Sequence, residues 1–218
     1  MALTTSIENF LRTAQVAINN TLSTPEILAI VSEFGYTEAE LTKGQKLYDA
    51  ALAAQQAQQK EYSEQKSSTD QAETLRNQLH EEYMVHLKLA RIALDKQPAL
   101  GQQLALNGRR KQTFAGWLMQ VEQFYTNSLN TPGVLEALDR FKLTPEKLAA
   151  TQAKLPELIA AKDQNEKEKS EAQRATQLRD EAIDALDEWL SDYMAVARIA
   201  LAQDPQRLEA LGIVAPSP

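Results

Sequence analysis

His80, Glu82 and His86 come nearest in this 218-residue chain to a set that could hold a metal. Glu82 and His86 are four residues apart, so a helix projects both from one face, and carboxylate with imidazole suits a divalent first-row ion. Di-metal helical bundles, however, use Glu-x-x-His on two helices plus two further glutamates. Here the spacing is four rather than three. At positions 107 residues further on, where the sequence repeats, His80, Glu82 and His86 become Asp187, Trp189 and Tyr193. Replacement of ligand types by aromatics favours a solvated Glu–His pair, and no metal or other cofactor is expected.

Other side chains carry weaker signals. Asp180, Glu181, Asp184, Asp187, Glu188 and Asp192 could be read as paired carboxylates for acid–base work or a hard cation. On a helix they fan around one exposed side, with no nucleophile or substrate pocket supplied opposite by spacing. Arg91 and Arg198 sit in a duplicated Ala-Arg-Ile-Ala-Leu segment. Each guanidinium could bind an anion or anchor a partner, or else close a buried pair or lay its stem over apolar surface. Arg109-Arg110-Lys111 is too small a cluster for a nucleic-acid patch. Tyr62, Tyr83, Tyr125 and Tyr193 fall at core-facing helical spacings. No phosphate-binding glycine loop, G-x-S-x-G elbow or H-E-x-x-H motif is present. No catalytic residue emerges, and the chain reads as a non-enzyme.

The elements that must position these residues are helices. Only 6% of the chain is aromatic and seven residues are glycine, and Ala, Leu, Gln, Glu and Lys dominate, which is helical usage. The hydrophobic content of 43% supplies a core. There is no cysteine, which excludes disulfides, thiolate nucleophiles and Cys-ligated metals. A net charge of −7 repels a phosphate backbone, so nucleic acid is a poor partner. The segment Met1 to Glu8 lacks a basic head and an apolar run, no stretch is apolar over the roughly 20 residues a membrane span needs, and the expected compartment is the cytoplasm.

The chain is one sequence written twice. Ala90-Arg91-Ile92-Ala93-Leu94 recurs as Ala197-Arg198-Ile199-Ala200-Leu201, and Pro98 and Leu104 as Pro205 and Leu211. Leu22, Thr24, Pro25, Leu28, Phe34, Thr37 and Leu41 match Leu129, Thr131, Pro132, Leu135, Phe141, Thr144 and Leu148 at the same offset. Such self-similarity marks a duplicated unit. The expected domains are repeat 1 over 1–107 and repeat 2 over 108–218, joined at the Asn107-Gly108 turn, where Thr113 can cap the next helix.

Each repeat opens with an amphipathic helix, Ile7 to Leu22 and Trp117 to Leu129. Thr24-Pro25 and Thr131-Pro132 place a capping hydroxyl before a proline at the first position of a short second helix. A third helix starts after Thr37 and after Thr144 and has no evident end before Gln97 or Gln203, with only Gly44 and Pro156 as breakers. Positions 155, 158, 162, 165, 169, 172, 176, 179, 183, 186, 190, 193, 197 and 200 form a heptad ladder running through a polar centre, Lys162 to Arg174. The expected fold is all-α: two long heptad-patterned helices pairing antiparallel, with short helices bundled at the ends. The alternative is two four-helix bundles in tandem, with Ser63 and Ser170 at hairpin tips.

The tandem helical repeats with a terminal Leu-Glu-Ala-Leu-Gly-Ile segment, Leu208 to Ile213, loosely resemble bacterial helical-repeat proteins, a resemblance that implies no site residue. The function expected is that of a structural or protein-interaction protein, rigid helices presenting surfaces to a partner or to copies of itself. A ligand- or metal-binding helical bundle, a carrier or sensor, is the alternative.

Overall fold

The computed structural model describes residues 2–213, with side chains from Ser6 onward; Met1, with which the amino-terminal reading begins, lies outside them. The described residues form helices and no strand. In chain order these are α1 (Ala2–Ser23), α2 (Pro25–Ser32), α3 (Glu38–Ala93), α4 (Pro98–Gln103), α5 (Phe114–Asn130), α6 (Pro132–Asp139), α7 (Pro145–Gln152), α8 (Leu155–Ala200) and α9 (Pro205–Ala210). None of them is long and apolar enough to cross a membrane.

Proline writes most of the helix starts. Pro25, Pro98, Pro132, Pro145 and Pro205 each occupy the opening turn of their helix, where the missing N–H is needed by no carbonyl and the fixed φ suits the helix. The Thr24 and Thr131 hydroxyls make no cap bond, contrary to expectation. Their carbonyls do the work, accepting from Leu28 and Leu135 at 3.0 and 3.2 Å. Thr113 does cap α5, its hydroxyl accepting from the Gly116 amide at 3.2 Å.

Four helix ends close in one way. Gly35, Ala105, Lys142 and Gly212 adopt positive φ of 94°, 49°, 58° and 74°, and the amides around each turn back in the Schellman pattern. Tyr36 donates to Val31 at 3.1 Å, Leu106 to Gly101 at 3.0 Å, Leu143 to Leu138 at 3.4 Å and Ile213 to Leu208 at 3.1 Å.

The long helices hold one confirmation of continuity and one correction. α3 spans 56 residues without a break, and Ser63 and Ser170 are both helical rather than hairpin tips. The second long helix begins at Leu155, not near Glu146. Pro156 has no amide for the Gln152 carbonyl and its ring crowds that turn, so the chain closes α7 with the Ala153 and Lys154 amides bonding back to Ala149 and Thr151 before restarting. Position 49, 107 residues earlier, is Asp, and α3 runs on there.

The described chain divides into two compact units. Unit 1 runs from α1 to Ser63 and resumes at Ser170; unit 2 is Glu64 to Lys169. The core of unit 1 gathers Leu11, Ile18, Ile27, Val31, Leu41, Leu186, Leu190, Tyr193, Leu201 and Leu211. That of unit 2 gathers Leu79, Tyr83, Leu87, Trp117, Phe124, Tyr125, Leu138, Leu148 and Leu158. None of the fourteen ladder positions on α8 is exposed. The polar rung Asn165 is 1% exposed and donates to the Thr69 hydroxyl at 2.7 Å, which satisfies the amide that burial would otherwise penalise.

Candidate functional site

In unit 2, α3 carries two polar rows at helical spacing: Arg76, His80 and Tyr83 on one, Glu82 and His86 on the other. α5 brings Trp117, Phe124 and Tyr125, and α7 brings Thr151; α5 packs against α6 and α7.

The Glu82 and His86 row ends in a corner where each group already has a protein partner. His86 Nδ1 shares a hydrogen bond of 3.0 Å with the Tyr125 hydroxyl. Burial lowers the proton affinity of His86, partly opposed by Glu82, while Lys147 and Lys154 add to it. Burial pushes the Tyr125 hydroxyl well above the usual tyrosine range, so it remains a neutral hydrogen-bonding group. Glu82 Oε2 accepts from the Thr151 hydroxyl at 3.2 Å and its Oε1 pairs with Lys154. One atom stands apart: the Ser128 hydroxyl is fully buried and has no hydrogen-bond partner.

The other row faces a cleft of about 270 Å³ lined by Arg76, Asn77, His80, Tyr83, Arg110 and Trp117, among others, with no carboxylate among its lining residues. Trp117 Nε1 donates to His80 Nδ1 at 3.1 Å. Arg110 donates to the Tyr83 hydroxyl at 3.0 Å and to the carbonyls of Ala105 and Asn107 at 2.6 and 3.0 Å. The guanidinium of Arg76 lies 5.6 Å from the centroid of the Trp117 ring. The Nε atoms of Arg76 and Arg110 are buried without an acceptor. A larger groove of about 520 Å³ along α5, bordered by Met119, Gln123 and Asn127, is shallow and open.

Unit 1 fills the positions corresponding to the Glu82 corner with rings. Trp189 and Tyr193 stack at 5.4 Å between centroids, and Tyr36 packs on both. Tyr193 is fully buried and hydrogen-bonds to the Thr21 hydroxyl, and burial raises its pKa. Trp189 Nε1 reaches Glu40 at 3.4 Å.

The structure thus does not gather His80, Glu82 and His86 into one coordination set. Trp117 holds His80, whereas Thr151 and Lys154 hold Glu82 and Tyr125 holds His86. The six acidic residues from Asp180 to Asp192 are all exposed. Arg91 uses Nε and Nη2 to hold the Leu106 carbonyl at 3.0 and 2.8 Å, pinning the loop after α4; Arg198 is exposed in the last turn of α8. Arg110, read as part of a small basic cluster, is the staple of the loop it belongs to. Tyr83, Tyr125 and Tyr193 are core residues, whereas Tyr62 is 58% exposed, so its core-facing spacing misleads. Arg76 carries no motif in the sequence. The signal available was its place at i, i+4, i+7 with His80 and Tyr83.

Comparison with family models, curated proteins and solved structures finds no match to this chain.

Proposed function

We propose that the chain is a non-enzymatic helical-repeat protein that acts in the cytoplasm by binding protein, either a partner or copies of itself. We further propose that residues 1–107 and 108–218 are tandem copies of one helical unit, with α3 and α8 paired antiparallel. Support for the duplication comes from backbone conformation. The left-handed residues Gly35 and Lys142 are 107 positions apart, as are Ala105 and Gly212. Glycine is favoured at such φ, yet the conformation recurs where the residue type has changed. Support for the pairing comes from unit membership, since unit 1 takes the start of α3 with the end of α8, and unit 2 the converse.

The observation that carries the binding reading is the exposure of Ile92 and Ile199, 57% and 67%. A single exposed apolar residue needs no explanation. Here the same isoleucine stands exposed in both copies, as does the arginine before it, while exposed residues one turn away have drifted: Lys88 corresponds to Ala195, Asp95 to Ala202 and Lys96 to Gln203. Packing does not explain that retention; contact with another protein does. The net charge of −7 argues against nucleic acid as the partner. A photo-crosslinking phenylalanine analogue placed at 92 or at 199 should give discrete protein adducts in cells, and none when placed at the exposed positions 26 on α2 or 136 on α6. Absence of adducts from both 92 and 199 contradicts the reading.

A second reading, a ligand-binding helical bundle with a carrier or sensing role, is favoured by the cleft beside Arg76.

A further inference from the structure

We propose that the cleft of unit 2 binds a small anion bearing carboxylate or phosphate groups, with Arg76 as its main ligand; this rests on the ligand-binding reading. Three features of the cleft converge on negative charge. Arg76 brings a guanidinium that lies against the face of Trp117, and among the described residues its buried Nε has no acceptor. A buried charged donor without an acceptor is expensive to maintain, and a carboxylate or phosphate matches its planar fork bidentately.

His80 adds a neutral donor. Its Nδ1 accepts the Trp117 indole N–H, which leaves the ring proton of the neutral imidazole on Nε2. Arg110 adds fixed positive charge. Its bonds to Tyr83 and to the loop carbonyls orient it before any ligand arrives, so little order need be created on binding. Asn77 lines the same space, and so does Lys111.

Size and sign then define the ligand. About 270 Å³ is smaller than the usual pocket of a drug-sized molecule and suits phosphate or a short dicarboxylate. In a chain of net charge −7, a cleft with two arginines, a lysine and no lining carboxylate is a local reversal of sign that concentrates anions. The positions 107 residues on from Arg76, Asn77, His80 and Tyr83 hold Ile183, Asp184, Asp187 and Leu190, a set that repels anions. The site therefore belongs to unit 2 alone.

The test is calorimetric titration of the full chain with inorganic phosphate and with malonate, against chloride at matched ionic strength. Saturable binding of at least one, weakened tenfold or more by Arg76→Gln and unchanged by Arg12→Gln at an exposed position of α1 in unit 1, is the expected result. Arg76→Lys, which keeps the charge and the stem, should bind with intermediate affinity; circular dichroism reports whether each variant is folded. No saturable heat from either anion, or binding undiminished in folded Arg76→Gln, overturns the proposal. Native mass spectrometry of the protein from its host separates this failure from that of the broader reading. A neutral molecule retained without any anion response removes only the anion inference, whereas neither molecule nor response removes both.

Discussion

At the corner where α3 or α8 meets its neighbours, the two units use opposite chemistry at corresponding positions. In unit 1 the ring of Trp189 lies where a Cβ on Gly44 would sit, and Tyr36 and Tyr193 close around it. In unit 2, Thr151 stands 107 positions after Gly44 and Glu82 stands 107 before Trp189, joined by a hydrogen bond of 3.2 Å. Tyr193 bonds Thr21 in one unit, and His86 bonds Tyr125 in the other. Positions 107 residues apart thus hold an aromatic plug in one unit and a polar network in the other, in which Glu82 and His86 each find a partner. The lesson is that the corner is specified by pairs: a glycine goes with a tryptophan, a threonine with a glutamate.

The largest expected effect breaks the aromatic pair. Gly44→Ala forces the Trp189 ring to move, and overpacking of this kind costs about 1–3 kcal/mol. Urea denaturation should show that loss, whereas Thr151→Ala, which removes one hydrogen bond, should cost about 1 kcal/mol. Adding Trp189→Leu to Gly44→Ala should cost less than the sum of the single changes, because the smaller side chain frees the space. Additive losses would contradict the contact.

Next come the helix ends. Gly35→Ala puts a Cβ at φ 94° and should cost about 1–2 kcal/mol. Lys142→Gly, at the equivalent turn with φ 58°, should be neutral or stabilising by less than about 1 kcal/mol. Thermal melts of the two variants should move in opposite directions or differ by several degrees in that order.

A smaller effect distinguishes the corners by pH. His86 has its folded pKa lowered, first by burial, so the unfolded chain binds this proton more readily. The stability associated with neutral His86 is full above the unfolded pKa of about 6.5 and is lost as pH falls from there through the folded pKa, with a slope of at most about 1.4 kcal/mol per pH unit. His86→Gln should flatten this part of the stability profile. The Tyr193 corner holds no histidine, and Tyr193→Phe should leave this part of the profile unchanged. An identical acid slope in wild type and His86→Gln would show that His86 does not titrate against folding.

Much of the fold was legible because prolines and the heptad ladder are local signals. Pro25 and Pro132 mark helix starts, and the ladder from Leu155 to Ala200 marks the buried edge of α8, polar centre included. Pro156 is a breaker, yet a separate α7 does not follow from it, because a proline near a helix start can serve either as its first turn or as the end of the helix before it. The sites were less legible. Glu82 and His86 announce a shared face, but their partners Lys154 and Tyr125 lie 72 and 39 residues away, distances no spacing rule spans. Arg76 looks like any surface arginine until α5 lays Trp117 beside it.

We propose that positions 107 residues apart have diverged so that unit 2, and not unit 1, offers a site for a ligand. Amide hydrogen exchange of the full chain, measured with and without saturating phosphate or malonate, tests it most directly. The account predicts slowed exchange confined to residues 76–83 and 108–117, with the corresponding stretch 183–190 unchanged. Equal slowing in both stretches, or in neither, would contradict it.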